Sequence, residues 1–442
     1  MSDALTIHPV GPFDATLRPP GSKSLTNRAL LLAALAEGES RLTNVLVADD
    51  TQVMIRALRD LGFRLHLDEA AREVQILGCN GTIPGKRSEL FLGNAGTAVR
   101  FLTAACCLGE GVYILDGVSR MRERPIRQLV EPLRSLGAEI DYLGEEGYPP
   151  LRIRGTGGLA GGKLNMGPTL SSQFISALLQ IGPGCRDGLT LRFDQPIISQ
   201  PYVTMTRTLM TRFGVKTRVN RQPLSYRVAG DSGYHSVDYA IEPDASNASY
   251  FLAAAAIIPG SRCTIDGLSG RSLQGDVAFA DVLQEMGATV RYEKHSITVQ
   301  APDQLHGIDV DLNHMPDMAQ TLAIVALFAN GPTAIRNVGN LRVKETDRLA
   351  ALHNELTKFG ARVKITDDDL HITMPHPGHL HPARIETYDD HRMAMSFAVA
   401  GLRHEGVTIL DPACVNKTFP QFWAFLDRLR DAATPLRKHA ES

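Results

Sequence analysis

Two apolar patterns alternate along the chain. The first is amphipathic, with apolar residues every three or four positions, and it closes on an apolar residue plus Gly before turning strand-like. Its copies are "ALRDLGFRLHL" (57–67), "PLRSLGAEIDYL" (132–143), "TLMTRFGVKTRV" (208–219), "DVLQEMGATVRY" (281–292) and "ELTKFGARVKI" (355–365). Their glycines are Gly62, Gly137, Gly214, Gly287 and Gly360, so successive copies stand 75, 77, 73 and 73 residues apart. Gly at this place suits the left-handed residue that ends a helix, with a strand starting directly after it.

The second pattern is apolar nearly all round and recurs six times in the same phase. It reads "SLTNRALLLAALAEG", "GTAVRFLTAACCLGEG", "SSQFISALLQIGPG", "ASNASYFLAAAAIIPG", "PDMAQTLAIVALFANG" and "DDHRMAMSFAVAGLRHEG". The closing glycines Gly38, Gly111, Gly184, Gly260, Gly331 and Gly406 are spaced by 73, 73, 76, 71 and 75 residues. A helix without a polar face belongs inside a core. Short strand-like runs such as "VYILDG", "LTLRFD", "TAIRNV" and "VTILDP" follow. The pattern predicts one unit of helix, strand, amphipathic helix and strand, used six times. The fold class is therefore mixed α/β, and 442 residues exceed what one core usually supports, so two domains are expected.

Composition narrows the function. With 43% hydrophobic and 21% charged residues the chain reads as globular, and a net charge of −2 argues against a general affinity for nucleic acid or an anionic membrane. The start MSDALTIHPV lacks the basic and apolar regions of a secretory signal, and no apolar run is long enough to span a bilayer. The six cysteines form no CxxC pair or zinc-like spacing, which suits reduced thiols in a cytoplasmic protein. Neither GxxxxGK[ST] nor GxGxxG stands at a strand–helix junction, so no nucleotide cofactor is expected, and the Cys and His spacings call for no metal.

Each buried helix opens near Ser, Thr, Asp or Asn, which cap helix N-termini. Repeated helices of one phase can point their positive dipole ends at one region, and that is a route to an anion site. Basic residues collect at the same junctions: Lys23 and Arg28; Arg100; Arg120, Arg122, Arg124 and Arg127; Arg342, Lys344 and Arg348; Arg392; and Lys417. Taken singly, each reads equally as a solvated charge. Together they ask for a ligand carrying phosphate and carboxylate. Gly96, in "LFLGNAGTAVRFL", would let such a group approach the backbone. The candidates for proton transfer are Asp317 in "HMPDMAQT" and Glu345 in "KETDR". Asp317 reads alternatively as a helix cap and Glu345 as a helix-start ion pair, and His391 as a titrating or an orienting group.

The motifs "PGSKSLTNRALLLAALAEG", "LFLGNAGTAVR", "RMRERPI", "SSQFISALL", "SQPYV", "ASYFLAAAA", "GDVAFADVLQEMGA", "RVKETDRL", "YDDHRMAM" and "KTFPQFW" resemble those of the 5-enolpyruvylshikimate-3-phosphate (EPSP) synthase family. They run in order from about residue 20 to about residue 425. The resemblance implies a two-lobed, inverse α/β barrel-like prism of six βαβαββ-type units, three per lobe. It places one lobe at residues 1–21 plus 241–442, on the phosphoenolpyruvate side, and the other at 22–240, on the shikimate 3-phosphate side. It also implies transfer of the enolpyruvyl group of phosphoenolpyruvate to the 5-hydroxyl of shikimate 3-phosphate, with release of phosphate. A basic cleft between lobes that close on shikimate 3-phosphate, and a monomeric enzyme, are expected.

Carried over by motif, shikimate 3-phosphate would meet Lys23, Ser24, Arg28, Ser171, Ser172, Gln173, Ser199, Tyr202, Asp317, Asn340 and Lys344. Phosphoenolpyruvate would meet Lys23, Asn94, Gly96, Arg124, Gln173, Arg348, Arg392 and Lys417. Asp317 would be the base for the 5-hydroxyl, and Glu345 with Lys23 the proton donor to the methylene carbon. The chain departs from the family where Pro is frequent and Phe101 stands here. A slightly altered Gly96 loop, and altered sensitivity to glyphosate, are expected there. The rival within the fold, a UDP-N-acetylglucosamine enolpyruvyl transferase, would carry a reactive Cys in its loop, and none stands in 112–124. A non-catalytic anion-binding protein on the same scaffold would not need Asp317, Glu345 and Lys23 together.

Overall fold

The structure is a computed structural model and describes residues 3–230 and 232–434. The chain divides into two compact units: Met1–Pro20 with Pro243–Ser442 (unit 1), and Gly21–Glu242 (unit 2). Its helices are α1 (Lys23–Leu35), α2 (Asp49–Asp60), α3 (Gly96–Cys106), α4 (Arg127–Ser135), α5 (Ser172–Ile181), α6 (Gln200–Arg212), α7 (Ala245–Ile257), α8 (Phe279–Glu285), α9 (Ala319–Ala326), α10 (Arg348–Lys358), α11 (His391–Gly401) and α12 (Phe422–Asp431).

One sheet pattern repeats throughout. In unit 2, Arg87–Phe91 runs parallel to Glu110–Asp116, which is antiparallel to Leu151–Thr156, which is antiparallel to Glu139–Tyr142. The same four-strand order recurs around Glu39–Thr43 and Leu189–Phe193 in unit 2, and around Arg262–Asp266 and Thr333–Arg336 in unit 1. The sixth sheet has three strands, Ala383–Ile385, Val407–Leu410 and Ala4–Ile7. Its third strand is thus supplied by the start of the chain, where the other units use a strand that follows their own amphipathic helix.

The two helix types behave as their patterns require. Gly62, Gly137, Gly214, Gly287 and Gly360 follow the amphipathic helices with φ of 88°, 100°, 92°, 113° and 89°, the left-handed conformation that turns chain from helix to strand. Every residue of α3 and α11 is buried, and so are nearly all of α1 and α7. In unit 1, α7, α9 and α11 pack on one another, with Ser249, Thr321 and Ser396 linked through their hydroxyls at 3.1 and 3.5 Å. In unit 2, α3 packs on α1 and α5.

Two features of these helices differ from copy to copy. Gly111 and Gly184 do not have positive φ, unlike Gly38, Gly260, Gly331 and Gly406. They are there for space instead: a Cβ would stand 2.2 Å from Lys86 O at Gly111, and 2.8 Å from a Leu108 methyl at Gly184. Side-chain caps exist on α1 (Ser22), α5 (Ser171), α7 (Asp244) and α11 (Asp390), but not on α3 or α9. Thr97 lies inside α3, and Asp317 lies in a 3₁₀ turn (Pro316–Met318) ahead of α9.

All six cysteines are free, and burial pushes the Cys185 and Cys414 thiols up to about 12. Among the described residues no helix is long and apolar enough to cross a membrane.

Candidate active site

The first buried helices bring their N-terminal residues into two clusters, one in each unit. In unit 2, Lys23 opens α1, where Ser22 accepts the Leu25 N–H, and its Nζ lies 3.1 Å from Asp50 Oδ2 at the start of α2. One turn on, Arg28 is fully buried. Its Nε donates to Thr206 Oγ1 (2.7 Å), its Nη1 to Ser24 O (3.1 Å) and its Nη2 to Ser176 Oγ (3.3 Å) and Tyr202 O (3.5 Å). Burial lowers this guanidinium to about 10, and the Tyr202 phenol opposes the shift. The Phe101 ring lies beneath it, 5.1 Å from the guanidinium carbon.

Gly96 heads α3 between two arginines. A Cβ there would stand 2.5 Å from Arg100 Nη1 and 2.6 Å from Arg124 Nη2. Arg124 donates to Asn94 Oδ1 (2.9 Å) and Asn94 O (3.1 Å). Arg100 donates to Gly96 O (3.0 Å) and Gln173 Oε1 (3.1 Å), while Gln173 Nε2 reaches Thr97 Oγ1 (3.4 Å). Ser171 caps α5 by accepting the Gln173 N–H, and Ser172 is buried beside it. Ser199, with φ 55°, turns the chain into α6, which carries Tyr202. The cradle inferred around Gly96 is thus a pair of guanidiniums as well as a backbone without a side chain.

In unit 1, Arg348 at the start of α10 joins three carboxylates. Its Nη1 donates to Asp317 Oδ1 (3.0 Å), and its Nη2 lies 2.9 Å from Glu345 Oε2. Its Nε and Nη2 donate to Asp390 Oδ2 (2.7 Å) and Oδ1 (3.2 Å). Asp317 in turn faces three cations: Arg348, Lys344 (3.4 Å) and Arg392 (3.2 Å). Burial alone would push the Asp317 carboxyl up, but Lys344, Arg392 and Arg348 outweigh it and the opposing Glu345, and hold it well below the usual carboxylate range. Arg392 also donates to the Tyr250 hydroxyl (3.4 Å). His391 is buried with Nδ1 3.6 Å from Asp390 Oδ1. Asn340 and Lys417 lie half-buried in 3₁₀ turns, Asn340 before Lys344 and Lys417 after α11, where Lys417 acts on the Asp389 carboxyl.

Residues inferred from the sequence therefore gather as follows. Lys23, Ser24, Arg28, Asn94, Gly96, Arg124, Ser171, Ser172, Gln173, Ser199 and Tyr202 stand on helix starts and their flanking loops in unit 2. Asp317, Asn340, Lys344, Glu345, Arg348, Arg392 and Lys417 belong to unit 1. Asp317 does not cap α9: its oxygens go to the cations. Arg120, Arg122 and Arg127, noted as junction charges, pair instead with Glu123, Asp116 and Glu146 on the surface. Sequence reasoning missed Asp50 and Asp390 as partners of Lys23 and Arg348, because an acid at a helix start reads as a cap. It noted Arg100 as basic without placing it beside Gln173. Spacing alone could not show that.

The repeated unit, with a cluster of charged side chains at the helix starts of each half, defines a two-unit α/β protein. Comparison with known proteins agrees. The EPSP synthase (3-phosphoshikimate 1-carboxyvinyltransferase) family model matches residues 7–426, and the chain belongs to that family. It is 48% identical to a 3-phosphoshikimate 1-carboxyvinyltransferase of Pectobacterium atrosepticum, over 98% of this chain and 100% of that one. Identity to a Salmonella schwarzengrund protein of the same name is also 48%, with the same coverage. An EPSP synthase structure from Acinetobacter baumannii superposes with a TM-score of 0.80 at 27% identity, covering 96% of this chain and 98% of that one.

Proposed function

We propose that this transferase moves the enolpyruvyl (carboxyvinyl) group of phosphoenolpyruvate to the 5-hydroxyl of shikimate 3-phosphate and releases phosphate. Within the family assignment, the observation that carries the residue roles is the Asp317 carboxylate held among Arg348, Lys344 and Arg392, with Glu345 on the same arginine.

In this reading Lys23, Ser24, Arg28, Ser171, Ser172, Gln173, Ser199 and Tyr202 hold shikimate 3-phosphate, together with Asp317, Asn340 and Lys344. Asn340 Oδ1 is buried without a protein donor, which suits it to accept from a substrate hydroxyl. Phosphoenolpyruvate takes Lys23, Asn94, Gly96, Arg124, Gln173, Arg348, Arg392 and Lys417. Arg100, bonded to Gln173, supports the same group of residues.

A strongly depressed pKa makes Asp317 a weak base while Arg348, Lys344 and Arg392 are paired with it. Anionic substrates change that balance: a phosphate or carboxylate arriving at Arg348, Arg392 and Lys344 shares their charge and raises the basicity of Asp317. Asp317 then takes the proton of the 5-hydroxyl as its oxygen attacks C2 of phosphoenolpyruvate. Glu345 gives a proton to C3, completing a tetrahedral ketal phosphate. In the second step Glu345 takes a proton back from C3, the C2–O bond to phosphate breaks, and the proton held by Asp317 leaves with the phosphate. Atoms and charge balance without any further reactant. The arginines accelerate both steps to the extent that they bind the developing charge more tightly than the ground state.

In this reading the enzyme works as a monomer, and six free thiols fit a reducing, cytoplasmic setting. The direct test is phosphate release from phosphoenolpyruvate, which should require shikimate 3-phosphate. Release with UDP-N-acetylglucosamine in its place, and none with shikimate 3-phosphate, would overturn the assignment.

A further inference from the structure

The two units differ at the end of the buried helices opposite the residues discussed above. In unit 1 the residues three positions before the closing glycines are Ile257 (α7), Phe328 (after α9) and Arg403 (after α11), preceding Gly260, Gly331 and Gly406. Arg403 turns its guanidinium across this junction. Its Nη1 donates to Ile257 O, its carbon sits 4.8 Å over the Phe328 ring, and its Nη2 passes the loop at Gly378. A cation is well placed there, because helix C-termini carry partial negative charge and leave carbonyls to be satisfied.

The equivalent residues of unit 2, before Gly38, Gly111 and Gly184, are Leu35 (α1), Leu108 (after α3) and Ile181 (α5). None is cationic. A cavity of about 250 Å³ lies here, lined by Leu35, Leu108, Gln180 and Gly184, with Gly158 and Asn80 on its loops. Leu35 O is the counterpart of the carbonyl that Arg403 holds in unit 1. It already accepts from Gly81 N (2.8 Å), and a carbonyl has a second lone pair. Gln180 adds a second feature: the residue is fully buried, its Nε2 donates to Ser176 O (3.1 Å), and its Oε1 has no hydrogen-bond partner. A buried acceptor without a donor is costly.

We infer that this cavity of unit 2 is a binding site for a small organic cation bearing a guanidinium or primary ammonium group, which takes the place that Arg403 fills from within unit 1. The ligand donates to Leu35 O and to Gln180 Oε1 and lies against Leu108, at the negative ends of α1, α3 and α5. Over the 13 residues of α1 this places it about 20 Å from Lys23, so it is separate from the substrate residues. The inference does not depend on the reaction proposed above.

The test uses the full chain with ethylguanidinium as probe and ethylurea as its neutral counterpart, followed by ligand-observed NMR and calorimetry. Saturable binding of ethylguanidinium to one site is expected, with an affinity of about millimolar for so few heavy atoms. Ethylurea should bind at least about tenfold more weakly. Gln180→Met, which keeps volume and burial, should weaken binding several-fold without affecting the fold. No saturable binding to the wild-type chain, equal binding of ethylurea, or binding unchanged by Gln180→Met would each overturn the inference.

Discussion

Arg348 stands between Asp317 and Asp390, donating to one carboxylate through Nη1 at 3.0 Å and gripping the other through Nε and Nη2. Asp390 is fully buried and its Oδ1 also accepts the Arg392 N–H at the start of α11. One carboxylate therefore fixes both arginines that reach Asp317, from beneath and through different bonds.

Asp390→Asn keeps an oxygen for the α11 cap but removes the fully buried one of the three carboxylates that offset Arg348. The unfolding free energy should fall by about 3 kcal/mol, as for other buried pairs that lose one partner. The phosphoenolpyruvate KM should rise with it. Urea unfolding and steady-state kinetics read the two effects, and an unchanged unfolding curve would show that Asp390 is not what holds Arg348.

The repeat was legible because the glycines and the apolar helices recur in fixed phase, and burial of α3 and α11 follows directly from their lack of a polar face. The three-stranded sheet was not, because nothing local marks Ala4–Ile7 as the partner of Val407–Leu410. Within the site, Lys23, Arg124, Arg348 and Arg392 could be read from motifs. Their partners could not. Asp50 is 27 residues from Lys23 and Asp390 is 42 from Arg348, and both look like ordinary helix caps in sequence. Phe101 shows the same limit. Sequence set it on the helix that Gly96 heads, and could not show that its ring also lies under Arg28 of another helix.

Gly96→Ala would place a methyl against the ends of Arg100 and Arg124. Both side chains can swing, so the fold should survive. The Asn94 and Gln173 bonds should not survive intact. The KM for phosphoenolpyruvate should rise by about tenfold or more, equivalent to about 1.4 kcal/mol of lost binding, with a smaller change for shikimate 3-phosphate. Equal changes in both constants would contradict this placement of Gly96.

Phe101→Leu removes the ring beneath a buried guanidinium that has hydroxyl and carbonyl partners rather than a carboxylate. A desolvated contact of this kind is worth about 1–2 kcal/mol. The KM for shikimate 3-phosphate should therefore rise more than that for phosphoenolpyruvate. The reverse order would return Phe101 to a role in the Gly96 loop.

The depressed pKa of Asp317 has a consequence for acid stability. The unfolded carboxyl titrates near about 3.9, and the native one below it, so the native state binds fewer protons in between. The ion pairs stabilise the fold fully above about pH 4, and that contribution is lost as the pH falls further. Asp317→Asn should thus be less stable than wild type at pH 7, with the gap closing below about pH 4. Unfolding curves across pH check this, and a gap that stays constant to pH 3 would contradict it.

The most direct measurement of the central claim is turnover by Asp317→Asn, with phosphate release followed beside calorimetric binding of shikimate 3-phosphate. Loss of a positioned proton acceptor should cut kcat by about 10²–10⁴ while shikimate 3-phosphate still binds. Turnover within about fivefold of the wild type, with binding intact, would show that Asp317 is not the base and that the Arg348, Lys344 and Arg392 cluster serves another carboxylate.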